Sequence, residues 1–244
     1  MGNLWQTIYY GAIARGRGQQ LLSGLSVTIQ ISLGAMLLGL ILGSIAATFK
    51  LSKFRVLRAI AFVYIGVVRG TPAVVQLLIV NFVIFAGIRG AGIWVGIVAL
   101  GINSGAYVAE IIRAGIMSVD KGQREAGLSL GFTSVQTMAY IVLPQAVKNI
   151  LPTFVNEFIV LIKETAIVGF VAVSDLTREA HRIMSRTFDV TPLFVSAVMY
   201  LVVISILTLL LGQLERKLRS SDAESRGIDD TKNRINKRRR AKRL

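Results

Sequence analysis

The chain has 244 residues, 53% of them hydrophobic, with a mean hydropathy of +0.62 and a formal net charge of +15. Soluble globular chains carry about 25% charged residues; this one carries 17%, too few and too unevenly placed to cover its apolar runs in water. It has no cysteine, which excludes a disulfide framework and a thiolate metal site, and its single histidine, His181, makes a weak case for any metal centre.

Residues 1–20 lack the continuous apolar core of a cleavable signal peptide and are expected to lie at the extracytoplasmic face or in the membrane interface. No charged residue occurs from Leu25 to Phe49, Gly70 to Ile88, Gly90 to Ala109 or Thr191 to Leu214. Each run approaches the roughly 20 apolar residues that a helix needs to cross a bilayer. The pattern predicts an all-α integral membrane protein whose transmembrane part covers 21–218. About five spans fit: Leu25 to Phe49, Leu57 to Ile88, Gly92 to Ile112, Ile150 to Val173 and Thr191 to Leu214.

From Arg216 onward there are 12 basic and four acidic residues, and 219–244 is expected to be a disordered, basic cytoplasmic tail. Its run Lys237-Arg238-Arg239-Arg240-Ala241-Lys242-Arg243 admits a nucleic-acid reading. Charge beside anionic lipid fits the topology better, so membrane lipid, and no nucleic acid, is the expected partner. With the N-terminus outside and the C-terminus in the cytoplasm, 20 Lys and Arg residues fall inside and six outside. The opposite orientation would invert that bias.

The second span, 32 residues long, would cover about 48 Å as a straight helix, against a hydrocarbon core of about 30 Å. It contains Arg69-Gly70-Thr71-Pro72. Threonine is a good helix N-cap and proline a good first helical residue. One reading is therefore a break, with a new half-helix starting near Pro72, as at binding sites in transporters. The other is a proline kink with Arg69 reaching for the interface. Between the third and fourth spans, Lys121 to Leu130 has helical composition and Gly131 is a stop. Thr133 or Ser134 caps a second short helix that ends at Pro144. Two short helices joined by a glycine suggest a docking element, or an ordinary loop between spans.

Glu125-Ala126-Gly127, three residues, Gly131, nine residues and Ile141-Val142-Leu143-Pro144 resemble the EAA signature of ABC importer permeases, with Gly127 where alanine is usual. Arg69-Gly70-Thr71-Pro72 with Gln76, and Asn103 through Ile111, resemble the polar amino acid (histidine, glutamine, glutamate or arginine type) subfamily. So do Lys121-Gly122-Gln123, Leu143-Pro144-Gln145-Ala146, Asn156 with Phe158, Lys163-Glu164-Thr165 and Leu214-Glu215-Arg216. The resemblance implies the type I ABC importer (MetI-like) permease fold in a bacterial plasma (inner) membrane. It implies a second permease chain, identical or a sister subunit, an ATP-binding ABC subunit that holds ATP and magnesium, an extracytoplasmic solute-binding protein and an amino-acid substrate. It also implies that Glu125, Ala126 and Gly131 belong to a coupling helix, within about 118–145, that seats in a cleft of the ATPase.

Charges inside a membrane are costly and mark pathways, which makes Arg69, Glu110, Glu157, Lys163 and Glu164 candidates. Asn103, Tyr107 and Glu110, at i, i+4 and i+7, share one helix face, as do Asn156 with Lys163 and Glu157 with Glu164. A zwitterionic amino acid offers a carboxylate, which suits backbone N–H groups at a helix start after Gly70 and Thr71. Its ammonium suits Glu110 or Glu164, and Asn103 and Tyr107 would orient it. The candidate substrate-binding residues are therefore Gly70, Thr71, Asn103, Tyr107, Glu110 and Glu164. Purely structural roles are the alternative: Glu164 paired with Lys163 or Arg69, Glu110 with Arg113. Gly34, Gly39 and Gly43 are expected to let helices pack closely. The amphipathic segment between Val173 and Asp189 is expected to touch a solute-binding protein or to lie on lipid.

A membrane enzyme would need a nucleophile with a base, or a metal cluster, and neither pattern occurs. No G-x-x-x-x-G-K-[ST] loop is present, so ATP hydrolysis belongs to a separate chain. An ATP-independent channel or secondary amino-acid transporter leaves the Glu125-to-Pro144 pattern without a purpose. On this reading Glu110→Gln weakens substrate-stimulated ATPase activity of the assembled transporter; unchanged stimulation and uptake in liposomes would remove Glu110 from the substrate path.

Overall fold

The computed structural model describes Ala14, residues 16–88 and residues 90–241, with side chains through Arg216. Most of the expected N-terminal segment 1–20 lies outside the described residues. Regular structure among the described residues is helical: α1 Arg17–Leu51, α2 Arg55–Gly70, α3 Ala73–Ile79 with a π-helical continuation Val80–Ile84, and α4 Gly92–Met117. There follow α5 Lys121–Ser129, α6 Ser134–Thr137, a π-helical turn Met138–Val142, α7 Leu143–Glu164, a 3₁₀ stretch Thr165–Val171, α8 Leu176–Thr187 and α9 Thr191–Ala241.

The helices α1 and α4, and the Thr191–Arg216 part of α9, are each long and apolar enough to cross a membrane; α2 and α3, bent by 108°, meet the measure only together, as a broken span or a re-entrant loop. The expected span from Ile150 to Val173 does not meet that measure. It is divided between α7 and the 3₁₀ stretch, and α7 carries Lys148, Glu157, Lys163 and Glu164. Packing compensates in part, since Ala146, Ile159, Leu161 and Ile162 are buried in the bundle. By length and composition alone, the described residues hold three such helices, or four with the bent pair counted as one span, against an expectation of about five.

The sequence Arg69-Gly70-Thr71-Pro72 is a break and not a kink. Its caps differ by one position from those that residue type predicts: Thr71 closes α2 and Pro72 precedes α3. The Thr71 hydroxyl turns back and donates to Val67 O at 2.8 Å. It thereby serves an acceptor in the last turn of α2, where carbonyls run out of helical donors, instead of capping α3.

The most extensive contact in the bundle is between α1 and α4. The buried positions of α1 include Thr28, Ile31, Ser32, Ala35, Gly39, Gly43 and Ala46, a stripe at helical spacing in which most residues are small. A Cβ at Gly39 would stand 3.2 Å from Ser104 Cβ, and one at Gly43 only 2.7 Å from Val108 Cβ and 2.9 Å from Gly105 O. A Cβ at Gly34 would meet Ile97, and one at Gly101 would meet Leu38. Small residues let backbones approach until dispersion contact holds them, which matters most where lipid removes the hydrophobic drive.

The segment between Val173 and Asp189 forms α8, whose Leu176, Ala180 and Ile183 pack with Leu21 of α1. Its apolar face is taken by protein instead of lying on lipid. The buried Asp175 caps it, accepting from the N–H groups of Thr177 and Arg178. Burial pushes the Asp175 carboxyl above its ordinary range despite these bonds.

Between α4 and α7, Gly131 turns the chain at φ 88°, a left-handed conformation open to a residue without Cβ. Thr133 then starts α6 in a capping box with Gln136. The expected end at Pro144 does not occur: α6, the π turn and α7 follow without interruption from Ser134 to Glu164. Proline lacks an N–H, and its ring strikes the carbonyl four residues earlier. The π turn just ahead bonds Leu143 N–H to Met138 O, and this wider i+5 winding accommodates the ring. The backbone of α9 is helical to Ala241. The span supplies a formed turn to extend, elongation is easier than nucleation, and no proline follows.

Gly43→Ala forces α1 away from Val108 and is expected to cost about 1–3 kcal/mol. The readout is a lower thermal unfolding midpoint of the purified protein in detergent; an unchanged midpoint would mean that the α1–α4 seam has slack.

Candidate functional site

A cavity of about 670 Å³ opens between the end of α2, α4 and α7. Its polar lining includes Arg69 from α2, Tyr107 and Glu110 from α4, and Asn149, Thr153, Asn156 and Glu157 from α7, with Ser118 just past α4, and its apolar lining includes Ala114 and Gly115. On α4 the lining positions Tyr107, Ile111, Ala114 and Ser118 recur at helical spacing, as do Asn149, Thr153 and Asn156 on α7.

The guanidinium carbon of Arg69 lies 5.2 Å from the centre of the Tyr107 ring, within cation–π range. Glu110 is engaged on both oxygens, by Lys50 from the last turn of α1 and by Arg113 Nε at 3.0 Å. Glu157 accepts from Ser104 Oγ at 3.2 Å and has no ion pair among the described residues. The cavity therefore holds one carboxylate already neutralised, and one cation and one carboxylate still able to receive a charged guest. A zwitterion matches that arrangement.

Of the residues singled out from the sequence, Tyr107 and Glu110 are on the cavity wall, together with Arg69, Asn156 and Glu157. Asn103 is buried one turn away, its amide nitrogen donating to Gln76 Oε1 at 3.0 Å. Gly70 and Thr71 are exposed at the break and are not on the wall. Glu164, the last residue of α7, is partly buried and lies beyond the cavity. Sequence reasoning read Lys50 only as a charge that orients the chain; its pairing with a glutamate 60 positions away has no local signature. Glu157 stands among the membrane-embedded charges that the sequence singles out, although the substrate assignment there went to Glu110 and Glu164.

A second feature lies on the segment between α4 and α7. Glu125 and Ala126 are exposed, whereas Gly127 is buried. A Cβ there would meet Ile141 Cδ1 at 2.7 Å and Thr137 Cγ2 at 2.8 Å, so glycine allows α5 to lie directly on the π turn. Around Gly131, Leu130 (77% exposed), Val135 (78%) and Tyr140 (71%) project outward. Exposed bulky apolar side chains gathered on one short segment are the kind of surface that proteins use to bind partners or lipid.

The chain matches the family described as "Binding-protein-dependent transport system inner membrane component" over residues 39–220. It is 43% identical over 205 residues to the arginine transport system permease protein ArtQ of Bacillus subtilis (strain 168), covering 83% of this chain and 94% of that protein. To the glutamine transport system permease protein GlnP of Escherichia coli (strain K12) it is 35% identical over 203 residues, covering 82% and 93%. Among solved structures, an amino acid ABC transporter crystallised with histidines superposes with a TM-score of 0.80 at 40% identity, covering 89% of this chain and 99% of that one. The inward-facing MetNI methionine ABC transporter superposes at 0.71 with 15% identity, covering 84% and 99%; that likeness concerns the fold alone. A helical bundle with a charged cavity beside a broken helix thus belongs to the family of binding-protein-dependent inner membrane components, as a permease subunit of an amino-acid ABC importer.

Proposed function

We propose that the cargo is a polar amino acid and that the cavity beside α4 and α7 is its station in the membrane. The observation that carries this reading is the presence of Arg69 and Glu157 in one cavity, each without an ion-pair partner among the described residues. Arg69 takes the carboxylate of the amino acid and Glu157 its ammonium, while Tyr107 and Asn103 orient it. Glu110, held by Lys50 and Arg113, closes the wall as a structured ion cluster. Gly70 and Thr71 at the break, and Glu164 beyond the cavity, flank the route by which the cargo arrives and leaves. Relatives named for arginine and glutamine transport support a polar cargo.

A permease of an ABC system works with an ATP-binding partner and further components. Here Glu125, Ala126 and Gly131, with Leu130 and Val135 around them, seat in the ATPase, which holds ATP and magnesium. A second permease chain completes the pathway, and a solute-binding protein delivers the amino acid at the outer face. The N-terminus lies outside and the C-terminus in the cytoplasm, the orientation that the Lys and Arg distribution favours. Closure of the ATPase dimer moves the docked segment, and α7 carries that movement to Asn149, Asn156 and Glu157. The cargo biases the cycle only by binding one state of the cavity better than the other.

The test is reconstitution in liposomes with the cognate ATPase and binding protein and a panel of amino acids. Glu157→Gln is expected to lower substrate-stimulated ATPase activity and uptake about tenfold or more, the worth of a charged hydrogen bond, with co-purification of the ATPase intact. Val135→Asp is expected to do the reverse and deplete the co-purified ATPase. Normal uptake by Glu157→Gln would refute the station, and undiminished ATPase in the Val135→Asp preparation would refute the seat.

A further inference from the structure

A helix broken at mid-crossing leaves backbone carbonyls without helical donors, and lipid supplies none. Gln76, in the first turns of α3, meets that need. Its Nε2 donates to Val68 O at 2.7 Å and lies 2.8 Å from Thr71 Oγ1 and 3.1 Å from Thr71 O. The Thr71 hydroxyl spends its own proton on Val67 O, so every oxygen around Nε2 is an acceptor. An amide has donors on one side and an acceptor on the other, and here only the NH2 side can face the break. The Gln76 carbonyl must therefore point away from it, toward Asn103, where Oε1 accepts from Nδ2 at 3.0 Å.

That choice propagates. With a carbonyl opposite, the Asn103 amide must offer its nitrogen to Gln76, and its own Oδ1 is left over. Asn103 is 4% exposed, and among the described residues Oδ1 accepts no hydrogen bond. Asn103 sits one turn from Tyr107 on the helix face that lines the cavity.

We propose that Gln76 is a positioning residue for cargo recognition. It converts the oxygens exposed at the break into a fixed orientation of the Asn103 amide, so that an acceptor and not a donor is held ready for the amino acid. The groups that satisfy it are N–H donors: an ammonium, a guanidinium, an imidazolium or a side-chain amide. A carboxylate is repelled at that point. The proposal rests on the cavity being the cargo's station.

The experiment uses the permease–ATPase complex in lipid nanodiscs, titrated calorimetrically with L-arginine and, separately, L-glutamine. Gln76→Leu is expected to weaken binding about fivefold, the worth of one oriented hydrogen bond, and Asn103→Ala by at least as much. Because Gln76 acts through Asn103, the double variant is no weaker than Asn103→Ala alone; additive losses, or wild-type affinity in Gln76→Leu, overturn the proposal. Gln76→Glu supplies a second arm. While protonated it keeps a donor for Val68 O and a carbonyl for Asn103, so its affinity relative to wild type is high below about pH 6 and falls toward that of Gln76→Leu above about pH 9. A ratio to wild type that does not change with pH overturns the proposal, and this arm decides alone if Gln76→Leu does not assemble. Absence of binding to the wild-type complex, or wild-type affinity in Asn103→Ala, removes the station itself and the proposal with it.

Discussion

The close approach of α1 to α4 is the frame on which the other elements hang. Where Gly39, Gly43, Gly101 and Gly105 lack side chains, two long helices meet nearly backbone to backbone. The remaining elements dock on that pair. Tyr64 of α2 reaches Ile102 O at 2.7 Å, in space that a Cβ at Gly105 would close to 2.6 Å from its hydroxyl. The start of α8 fits against Gly24, with Leu176 N–H donating to Thr28 Oγ1 at 3.2 Å. Ile150 of α7 fits against Gly115. The cavity is the space left where α2, α4 and α7 diverge, so its shape depends on contacts that line none of it.

In such a bundle a buried polar group is costly unless it is satisfied, because hydrocarbon offers no partner. Ser32 returns its hydroxyl to Thr28 O at 2.8 Å. Asp175 spends both oxygens on helix-start N–H groups and accepts also from Tyr200 at 3.3 Å. Glu110 answers two cations. Against that economy Arg69, over a tyrosine ring, and Glu157, held by one hydroxyl, stand out as groups with capacity in reserve.

What was legible in the sequence was decided locally. Charge-free runs reported the crossings, Gly70 and Pro72 the break, and Gly131 the turn between α5 and α6, because each rests on the chemistry of a few adjacent residues. What was not legible depends on depth or on distant partners. Glu157 and Glu164 share a helix face, yet face says nothing of height, and a 22-residue α7 outlasts the cavity. Thr71 and Pro72 have good capping chemistry, yet a free carbonyl at Val67 drew the hydroxyl backward. Pro144 is a stop signal in isolation; the π turn ahead of it removed the clash that makes it one. Lys50 and Glu110 meet only because the seam brings the ends of α1 and α4 together.

The uninterrupted run from Ser134 to Glu164 makes the chain a lever. Its outer end carries Val135, beside the exposed apolar seat, and its inner part carries Asn149, Asn156 and Glu157 on the cavity wall. At 1.5 Å per residue Asn149 lies about 21 Å and Glu157 about 33 Å along the helix from Val135, so a rigid tilt of about 5° there would displace the wall by about 2–3 Å, enough to make or break a hydrogen bond. Pro152 lies within α7, between the two ends, and as a proline it has no N–H to give to the helical hydrogen-bond ladder. The ladder is thus interrupted between Val135 and the wall residues Asn156 and Glu157, and a bend at that point would separate their motion from that of the segment before it.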